Sequence, residues 1–396
     1  MVEYNPFDHR IVEDVYDVYR RLRNQAPVYY NSEIDFYALS RFDDVMSAHL
    51  DPVTFSSAHG VTIEGIDAGQ PFLIVKDPPE HTWHRKIVSR VFTPRRIGGL
   101  EAFIRETAVT LLDEHVGSEG FDAVSQFSFR LPLDVIGALI DIPAELREEV
   151  HEKSDVLNAR DGTSVAPDAA VQASAALVGL FATLVAERRK RPGDDVISML
   201  MASEVQDDEG RTRMLDDQEL AFRFLELAFA GHETVAKLIA NGIVALAWYP
   251  DARRELAADP GLIPGAVEEM LRWDPPSQYQ GRWTTRPVEL HGTTIPQDKR
   301  VVLLTGSATH DERRFENPEM FDIHRKIERH VSFGFGIHLC LGAALARLEL
   351  RVAFEEFLKR FPEYDIAPSG VVRQYGGNVR GLQNLPIVGL RAAASA

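Results

Sequence analysis

Apolar positions recur at the three- and four-residue steps of a helix face over most of the chain, while strand-like alternation is confined to a few short stretches. Residues 12–24, 81–92, 101–116 and 131–140 each read as helices, the second following Asp77-Pro78-Pro79. The longest helical segment, residues 217–249, contains no proline and predicts a helix on the order of 50 Å long at 1.5 Å per residue. Asp216 is placed to cap it and Pro250 to end it. Because its middle is apolar, it is expected to be central and buried.

Alternation marks residues 28–39, around a turn at Asn31-Ser32, and residues 284–304, through Val288, Leu290 and Ile295 with breaks at Gly292 and Pro296. Residues 373–388 suit a hairpin around Gly376-Gly377, and residues 159–167 a mobile loop between two helices. The pattern predicts a mainly α fold in a single domain over 1–396. A large helical body with a long central helix carries a small β-rich part at about 25–40, 284–304 and 373–388.

Composition narrows the class. Hydrophobic residues are 45% and charged residues 26% of 396, the balance of a soluble globular protein. A net charge of −17 argues against nucleic acid as a partner. The start, MVEYNPFDHR, has no apolar core of a signal peptide, and residues 169–186 read as too weakly apolar for a membrane span. A lone cysteine excludes a disulfide within the chain and suits a reducing cytoplasm. One segment departs from the acidic balance: residues 81–100 hold no acid but carry Arg85, Lys86, Arg90, Arg95 and Arg96. That stretch is either a solvated helix face or a patch for an acidic partner.

The single cysteine, Cys340, lies where helical periodicity begins, with Leu341, Leu345, Leu348 and Val352 on one face and Arg347, Glu349 and Arg351 on the other. Unpaired N–H groups and the helix dipole there favour a thiolate. Gly334, Gly336 and Gly342 allow unusual backbone angles and close approach to a flat partner. A zinc site lacks ligands, since His338-Leu-Cys340 has no second pair and His232-Glu233 lacks the second histidine of HExxH. Gly334-Phe-Gly336 lacks the third glycine of a dinucleotide fingerprint.

The string Phe333-Gly-Phe-Gly336-Ile-His338-Leu-Cys340-Leu-Gly342 resembles the haem-binding signature of the cytochromes P-450, and further motifs follow in that family's order along nearly the whole chain. The resemblance implies haem b with Cys340 as axial thiolate, Phe333, Gly334 and Gly342 in the loop around it, and dioxygen as co-substrate. Ala230-Gly231-His232-Glu233-Thr234 resembles the family's oxygen-binding groove, where Glu233 and Thr234 would deliver protons. A threonine there can bond back one turn and locally open the helix. Val235 stands where many relatives have a second threonine. Glu269-Met-Leu-Arg272, alone an ordinary helix ion pair, resembles the structural Glu-x-x-Arg motif, with Arg325 as third partner. His81, Arg85, Arg282 and His338 match the positions that bind haem propionates.

By the same resemblance the chain is a monooxygenase, fed by an external ferredoxin and ferredoxin reductase and oxidising a small, largely apolar molecule. The basic stretch from Arg85 to Arg96 would be the docking face, and the protein would be a cytoplasmic monomer. Candidate pocket residues are Phe72, Leu73, Ile74 and Val75, Leu227 and Ala230, and Ser277 to Gln280 with Gln278 as a polar anchor. Residues 159–167 would form a lid. A peroxide-driven relative would replace the Glu233–Thr234 pair, and a haem sensor would not need it.

Overall fold

The computed structural model describes residues 2–65, 69, 71–158, 168–374 and 378–391. Its helical body is built on α1 (Val15–Gln25), α2 (Phe42–Leu50), α3 (Glu80–Val88), α4 (Glu101–Asp113), α5 (Arg130–Leu139), α6 (Ala144–Asn158), α7 (Asp168–Lys190), α8 (Asp217–Trp248), α9 (Ile263–Trp273) and α10 (Ala343–Arg360). The long helix α8 starts in a reciprocal cap. Glu219 N–H donates to Asp216 Oδ1 at 2.8 Å, and Asp216 N–H donates to Glu219 Oε2 at 3.0 Å. It stops at Tyr249, and Pro250 opens the next helix.

Around α8 pack α5, α7, α9 and α10, with α6 on α7 and α4 on α10. Phe224, Leu238, Ile239 and Ile243 of α8 meet Ile136, Phe181, Met270 and Phe354 in one core cluster. Side chains of this size contribute about 1.5–3 kcal/mol each when fully buried. The helix α7 is more apolar than the reading of residues 169–186 allowed. Among the described residues it alone is long and apolar enough to cross a bilayer, with mean hydropathy 1.9 over its best window. Here it packs along α6 and α8, with Leu177, Phe181, Leu184 and Val185 buried.

The largest sheet comprises β1 (Val28–Asn31), β2 (Phe36–Leu39), β3 (Phe55–Ser56), β5 (Gln280–Thr284) and β6 (Arg300–Leu303), in the order β1-β2-β6-β5-β3. Here β6 runs parallel to β2 and antiparallel to β5, so Val302 lies opposite both Ala38 and Gly281. A second sheet joins β4 (Gly120–Asp122), β7 (Glu363–Ile366) and β10 (Pro386–Arg391), and a third pairs β8 (Val372–Gln374) with β9 (Gly381–Asn384). The segment 373–388 is therefore divided between two other sheets instead of joining the first. The strand β5 begins ahead of the expected 284, because Gly281, Arg282 and Thr284 are all buried and leave no alternation to read. Residues 159–167 and the turn at Gly376-Gly377 lie outside the described residues.

Candidate active site

One cavity of about 1540 Å³, counting its open mouth, lies between α8 and the cysteine loop. On α8 its wall is Leu227, Ala230, Gly231 and Thr234, one turn apart along a single face. A Cβ on Gly231 would meet Ile136 Cδ1 at 2.7 Å, so glycine there lets α5 approach α8 closely. Thr234 Oγ1 donates to Ala230 O at 3.2 Å. The back-bond expected of a threonine here is thus present, and the segment stays helical through this turn.

Glu233 is not at that wall. Successive helical residues point about 100° apart, and Glu233 is buried behind the helix, where Gln374 Nε2 donates to its Oε1 at 3.3 Å. The acid and the alcohol are neighbours in sequence but face different surroundings.

The cysteine loop is shaped by Gly334 and Gly336, at φ 67° and 69°, the left-handed region that only glycine enters freely. A Cβ on Gly336 would sit 2.5 Å from His49 O. Cys340 N–H donates to Phe333 O at 2.9 Å, and Cys340, Phe333, Gly334 and Gly342 all line the cavity. Burial among protein atoms pushes the Cys340 thiol above its ordinary value. It outweighs the Gly342 and Ala343 N–H groups and the Arg85 and Arg347 charges, which pull the other way. A metal ion that displaces the thiol proton makes the thiolate.

The four expected cationic or imidazole residues, His81, Arg85, Arg282 and His338, come together on this cavity. The His81 and His338 rings lie 4.4 Å apart, and Ser57 Oγ is 3.2 Å from His338 Nε2. Arg85 Nη2 donates to Leu339 O at 2.5 Å, and Arg282 Nη1 to Gly281 O at 2.7 Å. Burial, then neighbouring arginine charge, lowers His81 to about 4 and His338 to about 2. Burial lowers even Arg282 to about 10, against the pull of Asp77.

Sequence reading missed His49 of α2, which lines the same cavity and is held by burial and Arg282 at about 3. Arg282 Nη2 approaches His49 Nδ1 at 3.5 Å. Where Arg282 donates to His49 Nδ1, the ring proton is on Nε2. That atom, like His81 Nε2, is buried without a partner. A lone histidine in an amphipathic helix carries no motif that could have flagged it. Buried ring nitrogens with nothing to bond, beside two arginines, suit a carboxylate-bearing ligand. Haem, with its two propionates, fits this donor set.

Glu269 and Arg272 are fully buried and doubly bonded, Arg272 Nε and Nη2 each donating to a carboxylate oxygen at 2.7 Å. Arg325 Nε reaches Glu269 at 3.2 Å, and Arg272 also binds the carbonyls of Thr309, Pro318 and Met320. Away from this cluster, several expectations need correction. Glu349, read as part of a polar face, is buried on the cavity wall with Oε2 unpartnered, and burial pushes its pKa well up.

Leu73, Ile74, Leu227, Ala230, Ser277 and Gln280 line the cavity, but Phe72 and Gln278 do not. Phe72 stacks edge-on against Phe222 at 5.2 Å, and Gln278 Nε2 donates to Pro275 O at 2.7 Å. The basic stretch is not one face either. Arg85 turns into the cavity, Lys86 and Arg90 reach Gln206 O and Glu204 O, and Arg96 contacts Met199 Sδ.

A sequence profile described as cytochrome P-450 matches residues 262–370. The chain is 40% identical over 390 residues, 97% of its length and 96% of the relative's, to the Mycobacterium tuberculosis (strain H37Rv) protein named cytochrome P-450 123. It is 36% identical, across 99% of its length and 98% of the relative's, to the vitamin D(3) 25-hydroxylase of Pseudonocardia autotrophica. Its structure matches the cytochrome P-450 CYP109Q5 from Chondromyces apiculatus with a TM-score of 0.88 at 31% identity, covering 100% of both chains. The chain belongs to the cytochrome P-450 family. Within that family it is a haem-thiolate monooxygenase, an oxidoreductase that uses haem b and dioxygen.

Proposed function

We propose that this enzyme inserts one oxygen atom from dioxygen into a C–H bond of a small, largely apolar molecule. The observation that carries the reading is that Cys340, Thr234 and the His81, Arg85, Arg282 and His338 cluster all line one cavity. Haem bound through Cys340 supplies the oxygen-activating chemistry, its thiolate ligand favouring O–O cleavage. Phe333 O and the left-handed glycines position Cys340 for ligation, and the two arginines and two imidazoles would hold the propionates. Gly342 would let the backbone of the cysteine loop approach the cofactor, and Gly231 lets α5 close on α8 beside it.

Thr234 holds a hydroxyl at the cavity wall and, by turning from Ala230 O, presents its proton to the reacting oxygen. Glu233 acts at one remove, resupplying protons from behind α8. Leu73, Ile74 and Leu227 exclude water and shape the substrate space. Glu269, Arg272 and Arg325 act on the fold, not the chemistry, and residues 1–396 form one domain. Electrons come from a separate ferredoxin and its reductase. One cysteine is too few to hold a cysteine-ligated iron–sulfur cluster in this chain, and Arg90, Arg95 and Arg96 remain exposed for an acidic partner. A reducing cytoplasm suits a chain with this single cysteine.

The test is optical. Reduced protein under carbon monoxide should show the strongly red-shifted haem band of thiolate ligation, and Cys340→Ala should lose it. A band of the histidine-ligated type in the unmutated protein refutes the reading.

A further inference from the structure

Farther along α8 the cavity wall changes character. Arg223 and Glu226 both line it, among apolar neighbours such as Leu73, Ile74 and Leu227. Arg223 is only 1% exposed. Its Nη1 pairs with Glu226 Oε2, and Glu226 is otherwise fully engaged. Leu73 N–H donates to Glu226 Oε2 at 3.0 Å and Ile74 N–H to Oε1 at 2.9 Å. The remaining Arg223 donors, Nε and Nη2, are buried without any partner. These two nitrogens form the side-on edge of the guanidinium, whose parallel N–H bonds match the two oxygens of a carboxylate. Leaving such buried donors without acceptors is costly, and a bound acceptor recovers that cost.

We propose that Arg223 is the anchor for a substrate carboxylate, so that the enzyme takes an organic acid with a long apolar body. This rests on the reading of the cavity as a haem and substrate chamber. Glu226 fixes the guanidinium in place and ties segment 73–74 to α8, closing the chamber over the head group. It also neutralises much of the Arg223 charge, so selectivity comes from the two directed hydrogen bonds more than from net attraction. Arg223 and Thr234 are separated by about 16 Å along the helix axis at 1.5 Å per residue. An acid held at Arg223 therefore extends its chain, not its head, toward Thr234.

The experiment uses the haem-loaded enzyme, saturated alkanoic acids of roughly 10–16 carbons, chosen for that ~16 Å reach, and their methyl esters. Each is titrated by the optical change that accompanies displacement of water from ferric haem. At the best chain length the acid should bind on the order of tenfold more tightly than its ester. Arg223→Met should remove that preference, and Arg223→Lys, which keeps the charge without the two-pronged edge, should restore only part of it.

Absence of an acid preference at every chain length, including absence of binding, overturns the proposal. So does a preference undiminished in both variants. The carbon monoxide band is recorded for every protein used. Its absence from the unmutated enzyme defeats the haem-thiolate reading itself, whereas its presence without acid preference defeats only the assignment of Arg223. If Arg223→Met fails to give the band, Arg223→Lys and Arg223→Gln decide.

Discussion

At the scale of single residues, the cavity separates groups that touch the chemistry from groups that act through them. Thr234 reaches the wall, so Thr234→Ala should leave haem and substrate binding intact while electrons are diverted to peroxide. The measurement is the ratio of product to reductant consumed, with peroxide assayed alongside; unchanged coupling removes Thr234 from proton delivery. His49 makes a different demand. Its Nε2–H is buried and unpartnered, and a propionate is the acceptor that would complete it. His49→Phe keeps the bulk and removes the donor, so haem should leave the protein about tenfold faster, the equivalent of one hydrogen bond of ~1–1.5 kcal/mol. Transfer to an excess of a haem-scavenging protein reads this directly, and an unaltered rate assigns His49 to packing.

Residues that travel in a string were legible in the sequence, because Cys340 and His338 share one loop and Thr234 shares one helix turn with Ala230. His81, Arg85 and Arg282 were legible only as parts of an ordered series. His49 and Arg223 were not legible at all. Each is an isolated polar residue on an amphipathic helix, and only the fold shows which cavity it faces. Gln278 failed for the converse reason: a polar residue near the expected pocket found a backbone carbonyl, Pro275 O, nearer than the substrate space.

At the scale of elements, carboxylates on adjacent positions of α9, one buried and one half-buried, tie that helix to its neighbours, and they do so differently. Glu269 with Arg272 is fully enclosed, so Arg272→Ala strips a buried carboxylate of its two-pronged partner and leaves Arg325 as its one remaining cation. Loss of ~3–5 kcal/mol is expected, enough to prevent accumulation of folded holoenzyme. Soluble yield and haem content measure it, and a normal holoenzyme would contradict the structural role.

Glu268 joins α9 to His330 at 3.1 Å and to Arg347 of α10 at 2.6 Å, one on each side of Cys340 in sequence. Burial raises its pKa, but the His330 and Arg347 hydrogen bonds outweigh burial and hold the carboxyl at about 2. A carboxylate depressed in the folded state stabilises it above the unfolded pKa, near 4.5, and loses that contribution as pH falls toward 2. The contribution at neutral pH is on the order of 2–3 kcal/mol. Glu268→Gln should therefore lower the urea midpoint at pH 7 and flatten its decline between about pH 4.5 and 3. Parallel acid profiles for the two proteins would reject this linkage.

The long helix was legible because periodicity, the Asp216 cap and Pro250 agreed with one another. The strand β5 was not, since burial of Gly281, Arg282 and Thr284 erases the alternation by which a half-exposed strand is recognised.

At the scale of the whole molecule, the cavity is as much a structural feature as a catalytic one. It is walled by α2, α3, α5, α8, α9 and α10 together with β5 and the cysteine loop, so most of the body meets at a space of about 1540 Å³. His81 Nε2 and His49 Nε2 are buried without protein partners, and a bound acceptor would satisfy them. Haem that binds the folded chain and not the unfolded one adds stability of RT ln(1 + [L]/Kd), about 4 kcal/mol at a thousandfold excess over Kd. Removing haem should therefore lower the urea midpoint of the helical signal and broaden the transition, as elements that met through the cofactor lose their common contact. Readdition should restore both. Elements that pack directly, α6 on α7 and β1 against β2, should respond least, which hydrogen exchange resolves segment by segment. Equal unfolding curves with and without haem would mean that the protein closes the cavity by itself, and the orphaned donors would then need partners other than a propionate.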